Sequence, residues 1–341
     1  MSFEERLPPN YAKLDIALRS IGYSLEVAVA DIIDNSVDAE AQNILVRFIS
    51  KQGKSLDLAI CDDGRGMTSS TLKEAMRFGA DVSEELHRLG KFGLGLKLAS
   101  LSQAKELHVF TSKEGVLSGR AWLEEGIKTG FVNRVFDNHE SSAALKEIGL
   151  DRNLSTRGTV VFWSHLYRIG SHQNGEQQAQ KLLPRLRNYL SLAFHRFLSD
   201  KAKPRIQITM DIFDADTKRA GIPVKLDALD PFRYERTGRE GFPAKLSIHG
   251  EYEKEIQINA HIWPPNSHKV EYKLPGGANS RQGFYFYRNN RLIQGGGWNG
   301  LRESEPHLSL ARLEIDITSS VDVQVNLDVK KAEIQLPPSF M

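Results

Sequence analysis

The segment ADIIDNSVDA, residues 30–39, carries polar side chains at a spacing that could support chemistry. Asp31, Asn35 and Asp38 stand at positions i, i+4 and i+7, so they share one face of a helix. Apolar residues flank this face, which predicts that it borders a pocket. A carboxylate one turn before a carboxamide supplies a base that can orient water and a neutral oxygen that can bind Mg²⁺. The alternative is an ordinary solvated helix face.

The segment LDLAICDDGRGM, residues 56–67, ends an apolar strand in a carboxylate. Asp62 continues the apolar row of one strand face, because side chains alternate between faces with a period of two. It could accept a hydrogen bond from an exocyclic amine such as that of adenine. Gly64 and Gly66 would let the backbone approach a flat ring, and Met67 would add a polarizable contact. The alternative is a plain turn after a strand.

The segment LGKFGLGLKLAS, residues 89–100, is rich in glycine immediately before a predicted helix over 96–101. Backbone N–H groups of such a turn, leading into a helix N-terminus, form an anion site suited to phosphates. The chain contains no GxxxxGK[ST] loop, and the GxGxxG order of dinucleotide-binding folds is absent from this segment. A flexible active-site loop or a linker is the alternative interpretation.

These segments lie in an alternation of helices and strands that predicts a mixed α+β layer. Two helices are predicted between residues 11 and 39, with a break around Gly22 and the second helix starting near Ser24. The stretch 137–157 has mixed charge and is predicted to be a surface excursion. The other predicted elements of the first unit are strands at 44–50, 56–60, 106–112, 118–125, 131–136, 158–165 and 205–213, and helices at 71–78 and 176–198.

Composition narrows the class of protein. The chain has 341 residues, 40% of them apolar and 26% charged, which predicts a soluble globular protein with two domains. A net charge of +2 provides no global field of the kind that general nucleic-acid or membrane binders show. A single cysteine, Cys61, leaves no internal disulfide, and no stretch approaches the roughly 20 apolar residues of a membrane span. The N-terminus is unlike a signal peptide, so we expect a cytoplasmic protein with no membrane association.

Four motifs occur in a fixed order: an acidic residue with Asn four positions later, DxGxG after a strand, GxxGxG before a helix, and Gly158-Thr159 opening a strand. In this order they resemble the motif set of the GHKL ATPase superfamily. The superfamily includes DNA gyrase B subunits, MutL proteins, heat-shock chaperones of about ninety kilodaltons, MORC proteins and sensor histidine kinases. The resemblance covers roughly residues 11–215 and implies ATP and Mg²⁺ as ligands.

Residue by residue, the resemblance implies that Asn35 binds Mg²⁺, Asp62 binds adenine and Thr159 assists at the adenine through water. Asp31 falls on the general-base position, where most hydrolysing members have Glu, so its reach to the attacking water is one methylene shorter. Residues 79–95 match the mobile lid over the triphosphate. The remaining residues implied at the nucleotide are Gly64, Gly66, Met67, Gly90, Lys91, Phe92, Gly93, Leu94, Gly95, Leu96 and Lys97.

The second half of the chain contains two further resemblances. GFYFYRNNRLI, residues 283–293, resembles the segment that opens the transducer domain of MutL, gyrase and MORC proteins. VNLDVKKAEIQL, residues 325–336, resembles the loop in which those proteins extend a lysine to the γ-phosphate. The alignment places Lys331 in that role, with Lys330 as the neighbouring candidate. The run NNRLI and the sequence LKLAS favour the MORC branch.

The sequence therefore predicts a two-layer α/β sandwich over residues 1–225, with a mixed or antiparallel sheet and helices on one face, followed by a smaller α/β transducer domain over 226–341. The expected function is slow, Mg²⁺-dependent ATP hydrolysis that drives homodimerisation, in a DNA-related or phage-defence context and with a possible effector partner. The alternatives are a non-hydrolysing switch subunit of a larger assembly and a MutL- or topoisomerase-like repair ATPase. A stripe of Lys and Arg at 181–205 could contact DNA phosphates or be a solvated helix face.

Overall fold

A computed structural model describes residues 10–20, 22–51, 55–79, 95–167, 175–249, 255–317, 326–327 and 334–335. Within these ranges the chain divides into two compact units, the first formed by 10–79, 95–183 and 208–224 and the second by 184–207 and the residues from 225 onward. The expected domain boundary lies at 225/226. The second unit additionally takes residues 184–207, which the sequence prediction assigned to the first domain.

The described elements of the first unit include the predicted helices and strands in their predicted order, and two helices that were not predicted, Glu124–Lys128 and Asn138–Glu147. The helices are α1 (Tyr11–Arg19), α2 (Leu25–Asp38), α3 (Ser69–Met76), α4 (Gly95–Gln103), α5 (Glu124–Lys128), α6 (Asn138–Glu147), α7 (Gly175–Ala193), α8 (His195–Leu198) and α9 (Val270–Lys273). The first strands are β1 (Asn43–Lys51), β2 (Ser55–Asp62), β3 (Ala104–Lys113), β4 (Val116–Trp122), β5 (Arg134–Phe136), β6 (Gly158–Leu166), β7 (Gln207–Asp214), β8 (Arg219–Ala220) and β9 (Val224–Lys225). The later strands are β10 (Ala244–His249), β11 (Glu255–Ile262), β12 (Gly283–Arg288), β13 (Arg291–Gly295), β14 (Ala311–Ile317), β15 (Asn326–Leu327) and β16 (Ile334–Gln335).

The predicted break between the first two helices is confirmed. The side chain of Asn10 caps α1, and the hydroxyl of Ser24 caps α2 by accepting a hydrogen bond from the Val27 amide at 3.3 Å. Gly22 lies between the two helices with a φ of +57°, a left-handed conformation that favours glycine. These local signals fix the point at which α2, the helix that carries Asp31 and Asn35, begins.

The first unit is built on one sheet with the strand order β5-β4-β3-β6-β2-β1-β7-β8, and β9 pairs with β7. Strand β2 pairs antiparallel with both β1 and β6, and β3 pairs antiparallel with both β6 and β4. Helices α2 and α4 pack on one face, where the Trp163 indole donates to Ser100 Oγ at 2.8 Å. The predicted sandwich of a sheet and a helical layer is therefore confirmed.

The opposite face of this sheet is covered by α6 and the residues that follow it. Asp137 and Glu140 form a reciprocal capping box at the start of α6. The expectation that 137–157 is a surface excursion is wrong, because this stretch contains a helix and apolar side chains that pack on β2, β3 and β6. Its buried residues are Leu145, Ile148, Leu150 and Leu154, which cluster with Ala59, Cys61, Phe110 and Val160.

The second unit contains a sheet with the order β10-β11-β14-β12-β13, in which β12 and β14 are parallel. Strand β12 is buried along its whole length. Phe284 and Phe286 pack in one apolar cluster, and Tyr285 and Tyr287 pack in another, as the alternation of side chains in a strand requires. Asn289 and Asn290 make the turn to β13 with φ values of +46° and +67°, which suits a tight hairpin.

Residues 184–207 belong to this second unit, and two of their side chains bind strands of its sheet. Arg196 donates to Glu314 Oε1 at 2.8 Å and to Asp316 Oδ1 at 2.5 Å, and it stacks over the Tyr287 ring at 3.6 Å. His195 hydrogen-bonds to the Tyr287 hydroxyl at 2.8 Å, and burial lowers its pKa to about 3. Arg196 of the predicted basic stripe is therefore bound to carboxylates within the fold.

A buried ion pair fastens the first sheet to α6. Arg47 in β1 donates to both carboxylate oxygens of Asp211 in β7, at 2.9 and 2.7 Å, and to the carbonyl oxygen of Gly149 at 2.7 Å. Both side chains are buried, so removal of one partner leaves the other charge without compensation in a medium of low dielectric. None of the described helices has both the length and the apolar character needed to cross a membrane.

We expect Arg47→Met to lower the free energy of unfolding by about 3–5 kcal/mol, because Asp211 would remain buried and unpaired. Urea denaturation measures this change. The control is Lys218→Met, which removes the exposed pair of Lys218 with Glu147 and should change the stability by about 1 kcal/mol or less. Equal losses in the two variants would contradict the assigned importance of the buried pair.

Candidate functional site

The carboxylate of Asp62 lies at the end of β2 and is 7% exposed. Its Oδ2 accepts a hydrogen bond from the Ser36 hydroxyl at 2.8 Å, and its Oδ1 accepts one from the Gly64 amide at 2.9 Å. Burial raises the pKa of Asp62 to about 6, although the donors Ser36 and Gly64 act in the opposite direction. Asp62 is thus an acceptor whose position is fixed from two sides.

The neighbouring Asp63 has a different role. Its carboxylate accepts hydrogen bonds from the Gln42 amide at 2.8 Å and from both nitrogens of Asn43, at 2.9 and 2.8 Å. Burial raises the pKa of Asp63, but these hydrogen bonds outweigh it and leave the pKa below its ordinary value. Asp63 therefore fastens the turn before β1 to the end of β2, whereas Asp62 lies on the face that α2 covers.

Gly64 and Gly66 are glycines because the protein's own backbone approaches them closely. A Cβ on Gly64 would lie 2.9 Å from both the Cβ and the carbonyl oxygen of Ala39. A Cβ on Gly66 would lie 1.9 Å from the carbonyl oxygen of Ser112, and its φ of +65° is left-handed. The two glycines thus seat the loop after β2 between the end of α2 and strand β3.

Thr159 stands opposite Asp62 in the register of β6 with β2, and its side chain lies within reach of Thr111 of β3. The hydroxyl oxygens of Thr111 and Thr159 are 3.1 Å apart. Thr111 Oγ1 also accepts a hydrogen bond from the Met67 amide at 2.9 Å. The structure therefore brings three predicted residues, Asp62, Met67 and Thr159, together around a threonine that the sequence analysis did not select.

Asp31 and Asn35 lie one turn apart on α2 but differ in exposure. Asp31 is 4% exposed, and its Oδ2 accepts a hydrogen bond from the Tyr23 hydroxyl at 3.2 Å. A Cβ on Gly95, the first residue of α4, would lie 3.7 Å from the same oxygen. Asn35 is exposed. Asp31 is therefore a buried carboxylate beside the start of a helix, and Asn35 is an exposed carboxamide one turn later.

The predicted phosphate-binding run is described only in part. Gly90, Lys91, Phe92, Gly93 and Leu94 lie outside the described residues, as do Lys330 and Lys331 and most of the predicted lid. Gly95 and Leu96 begin α4, so the helix predicted at 96–101 is confirmed. The ammonium of Lys97 donates to the Ala75 carbonyl oxygen at 3.0 Å, and burial lowers its pKa to about 8. This contact directs Lys97 toward the end of α3.

Sequence reasoning missed Tyr23, Ser36 and Thr111. Tyr23 and Ser36 sit on or next to a helix already singled out, but their partners Asp31 and Asp62 are identified only by the fold. Thr111 does have a sequence signal. It follows Leu107 and Val109 on one face of β3, so it ends an apolar row in a polar side chain just as Asp62 does in β2.

We expect the affinity for an adenine nucleotide to fall as the pH drops through about 6, because protonation of Asp62 removes a carboxylate acceptor. Well below that pH the loss should approach about tenfold per pH unit. Calorimetric titration of ATP at several pH values measures it. Because the pKa of Asp62 is raised in the folded chain, protonation of Asp62 stabilises the folded state. Protonation of Asp62 would therefore not cause unfolding, and unfolding would not explain the loss of affinity.

The control is Asp62→Asn, titrated with ATP over the same pH range, because its residual pH dependence reports the ionisation of ATP itself. A wild-type slope equal to that of the variant would contradict a role for Asp62 as acceptor.

Residues 23–147 match the family model described as histidine kinase-, DNA gyrase B- and HSP90-like ATPase. The chain is 30% identical over 91 residues to the ATPase morc-1 of Caenorhabditis elegans, a match that covers 27% of this chain and 10% of the worm protein. It is 32% identical over 95 residues to the ATPase MORC2 of Homo sapiens, with 27% of this chain and 9% of the human protein covered. It is 27% identical over 95 residues to the protein MICRORCHIDIA 5 of Arabidopsis thaliana, with coverage of 26% and 13%.

The matches thus span about a tenth of the length of these relatives. The family model covers the part of the first unit that carries Asp31, Asn35, Asp62 and the glycines after β2. Residues 23–147 are therefore a GHKL-type ATPase domain, similar to that of the MORC ATPases.

Proposed function

We propose that the chain binds ATP in the presence of Mg²⁺ and hydrolyses it slowly. The observation that carries this proposal is the buried acceptor Asp62, held by Ser36 and Gly64, beneath a helix that presents Asp31 and Asn35. Asp62, which we propose binds the base, and Asp31, which we propose activates water, lie on two adjoining elements of one unit.

In this proposal Asp62 accepts a hydrogen bond from the exocyclic amine of adenine, and Thr159 assists at the same ring. The loop from Gly64 to Met67 is proposed to form one wall of the adenine site. Gly64 and Gly66 pack closely against Ala39 and Ser112, which fixes the position of this loop. A loop that is already ordered loses less conformational entropy when the nucleotide binds.

Asp31 orients the attacking water and takes up its proton. Its hydrogen bond with Tyr23 holds Oδ2 beside the start of α4, whose N-terminal amides favour negative charge. The short Asp side chain and a step limited by conformation both favour slow turnover, so a rate far above about 1 per second would contradict the proposal. The run from Gly90 to Lys97 is proposed to hold phosphate oxygens.

The exposed carboxamide of Asn35 fits the hard oxygen ligand that Mg²⁺ prefers. Asn35 would hold one Mg²⁺ through its amide oxygen, and the ion would compensate charge on the phosphate oxygens. Asp31, one turn earlier, is oriented by Tyr23.

We further propose that the second half of the chain, predicted over 226–341, acts as a transducer and that Lys331 reports the γ-phosphate to it. ATP would then promote homodimerisation, and hydrolysis would release the closed state. A DNA-related or defence role, a partner effector and a cytoplasmic location remain predictions. The exposed Lys and Arg side chains of 181–205 other than Arg196 are the surface proposed for DNA phosphates.

Two alternative functions remain. One is a non-hydrolysing ATP switch, which the short side chain of Asp31 favours, and the other is a MutL- or topoisomerase-like repair ATPase. The activity of variants at Asp31 separates the first of these from the enzyme.

We expect Asp31→Asn to reduce phosphate release at least about a hundredfold while ATP binding is retained, because the amide cannot take a proton from water. Asn35→Ala should instead abolish the Mg²⁺-dependent part of ATP binding, because the proposed metal ligand is lost. A phosphate-release assay and calorimetric titration measure the two effects.

The matched control is Glu40→Gln, a carboxylate-to-amide change at an exposed residue just after the same helix, which should alter neither quantity. An unchanged rate in Asp31→Asn would remove Asp31 as the base, and undiminished Mg-ATP affinity in Asn35→Ala would remove Asn35 as the ligand.

We also expect the solution mass to shift from monomer to dimer when Mg²⁺ and a non-hydrolysable ATP analogue are added, because the closed lid completes a dimerisation surface in the proposed cycle. Light scattering with and without the analogue measures this. The Asn35→Ala variant, treated identically, should remain monomeric. A monomer that demonstrably binds the analogue would favour the switch-subunit alternative.

A further inference from the structure

The side chain of Thr111 lies between three elements of the site. It is fully buried in β3. Its Oγ1 lies 2.9 Å from the Met67 amide nitrogen, 3.0 Å from the Gly158 carbonyl oxygen and 3.1 Å from Thr159 Oγ1. One hydroxyl thus joins the loop after β2, the first residue of β6 and the threonine opposite Asp62.

The single proton of the Thr111 hydroxyl limits the directions that these three hydrogen bonds can take. A threonine hydroxyl has one proton and two lone pairs. The Met67 amide can only donate, so it occupies one lone pair of Thr111, and the Gly158 carbonyl can only accept, so it takes the proton. In this arrangement the contact with Thr159 is a hydrogen bond that Thr159 donates to the second lone pair of Thr111.

The reverse assignment is less favourable. If Thr111 donated to Thr159, its hydrogen bond to the buried carbonyl of Gly158 would not form. The buried groups around Thr111 would then share one hydrogen bond fewer, which is unfavourable. The arrangement in which Thr159 donates to Thr111 satisfies every group.

This order of hydrogen bonds determines what Thr159 offers to a ligand. Its proton is used, so its oxygen presents lone pairs only. Asp62, its cross-strand neighbour on the same face, is a carboxylate and is likewise an acceptor. Two adjacent acceptors can each receive one hydrogen from an amino group of a ligand. A carbonyl oxygen in place of that amino group would be repelled by both, because it is an acceptor itself.

We propose that Thr111 is a specificity-determining positioning residue, which selects purines with an amino group at position 6 over those with a carbonyl by fixing the direction of the Thr159 hydroxyl. This inference rests on the proposed function, because it requires that a nucleotide base binds at Asp62. Thr111 acts through Thr159 and need not touch the base.

The test compares ATP with inosine triphosphate, which has a carbonyl at position 6 and the same phosphates. Calorimetric titration of the full chain gives both dissociation constants for the wild type, Thr111→Val and Thr111→Ser. Valine keeps the branched shape and removes the hydroxyl, whereas serine keeps the hydroxyl. Thr209→Val, which removes a half-buried threonine hydroxyl from β7 of the same sheet, is the control for the fold.

We expect the wild type and Thr209→Val to prefer ATP. In Thr111→Val the Thr159 hydroxyl is free to turn and donate to a carbonyl, so the preference for ATP should fall by about tenfold or more. Thr111→Ser should restore it. Should Thr111→Val fail to fold, Thr111→Cys keeps the volume with a weak donor and acceptor and should give an intermediate preference.

A purely structural role would weaken the binding of both nucleotides by the same factor and leave the preference unchanged, which would overturn the inference. A wild type that binds ATP and inosine triphosphate equally would overturn it while the proposed ATPase stands. A wild type that binds neither nucleotide would refute the proposed function itself, and this inference with it.

Discussion

The site of this protein depends on a single constraint, the burial of the Asp62 carboxylate at the end of β2. A carboxylate in this position is unfavourable unless donors compensate it, and the fold provides Ser36 from α2 and the Gly64 amide from the following loop. The compensation is incomplete, since burial still raises the pKa of Asp62 to about 6. This incomplete compensation is one reason for the proposal that Asp62 accepts a hydrogen bond from a ligand.

Other contacts of the first unit fix the position of the strands and loop around Asp62. Glycines after β2 allow the loop to contact Ala39 and Ser112 at distances that a side chain would prevent. On the far face, Arg47 and Asp211 hold β1, β7 and the end of α6 together with a fully compensated pair. The two sites differ: Arg47 and Asp211 compensate each other within the sheet, whereas Asp62 is the acceptor proposed for a ligand.

Much of the fold could be predicted because it is encoded locally. The Ser24 cap, the left-handed Gly22 and the alternation of β2 and β3 are short-range patterns, and they placed α2, β2 and β3 within a few residues. The helix α6 carried a local signal too, its Asp137 and Glu140 capping box, but mixed charge masked its apolar residues. Residues 184–207 carry no local signal of the unit that they join, because the carboxylates that bind Arg196 lie more than a hundred positions later.

The sequence by itself determined the chemical inventory of the site: a carboxylate with a carboxamide one turn later, a carboxylate at a strand end, and glycines where the chain must turn. Motif order also indicated the resemblance to the GHKL ATPases, and a family model of that type matches residues 23–147. Only the tertiary structure decided which groups complete these residues, because the fold brings Tyr23, Ser36 and Thr111 within hydrogen-bonding distance of their partners. Hydrogen-bond direction depends on all the neighbours of a hydroxyl at once, and no spacing along the chain encodes that.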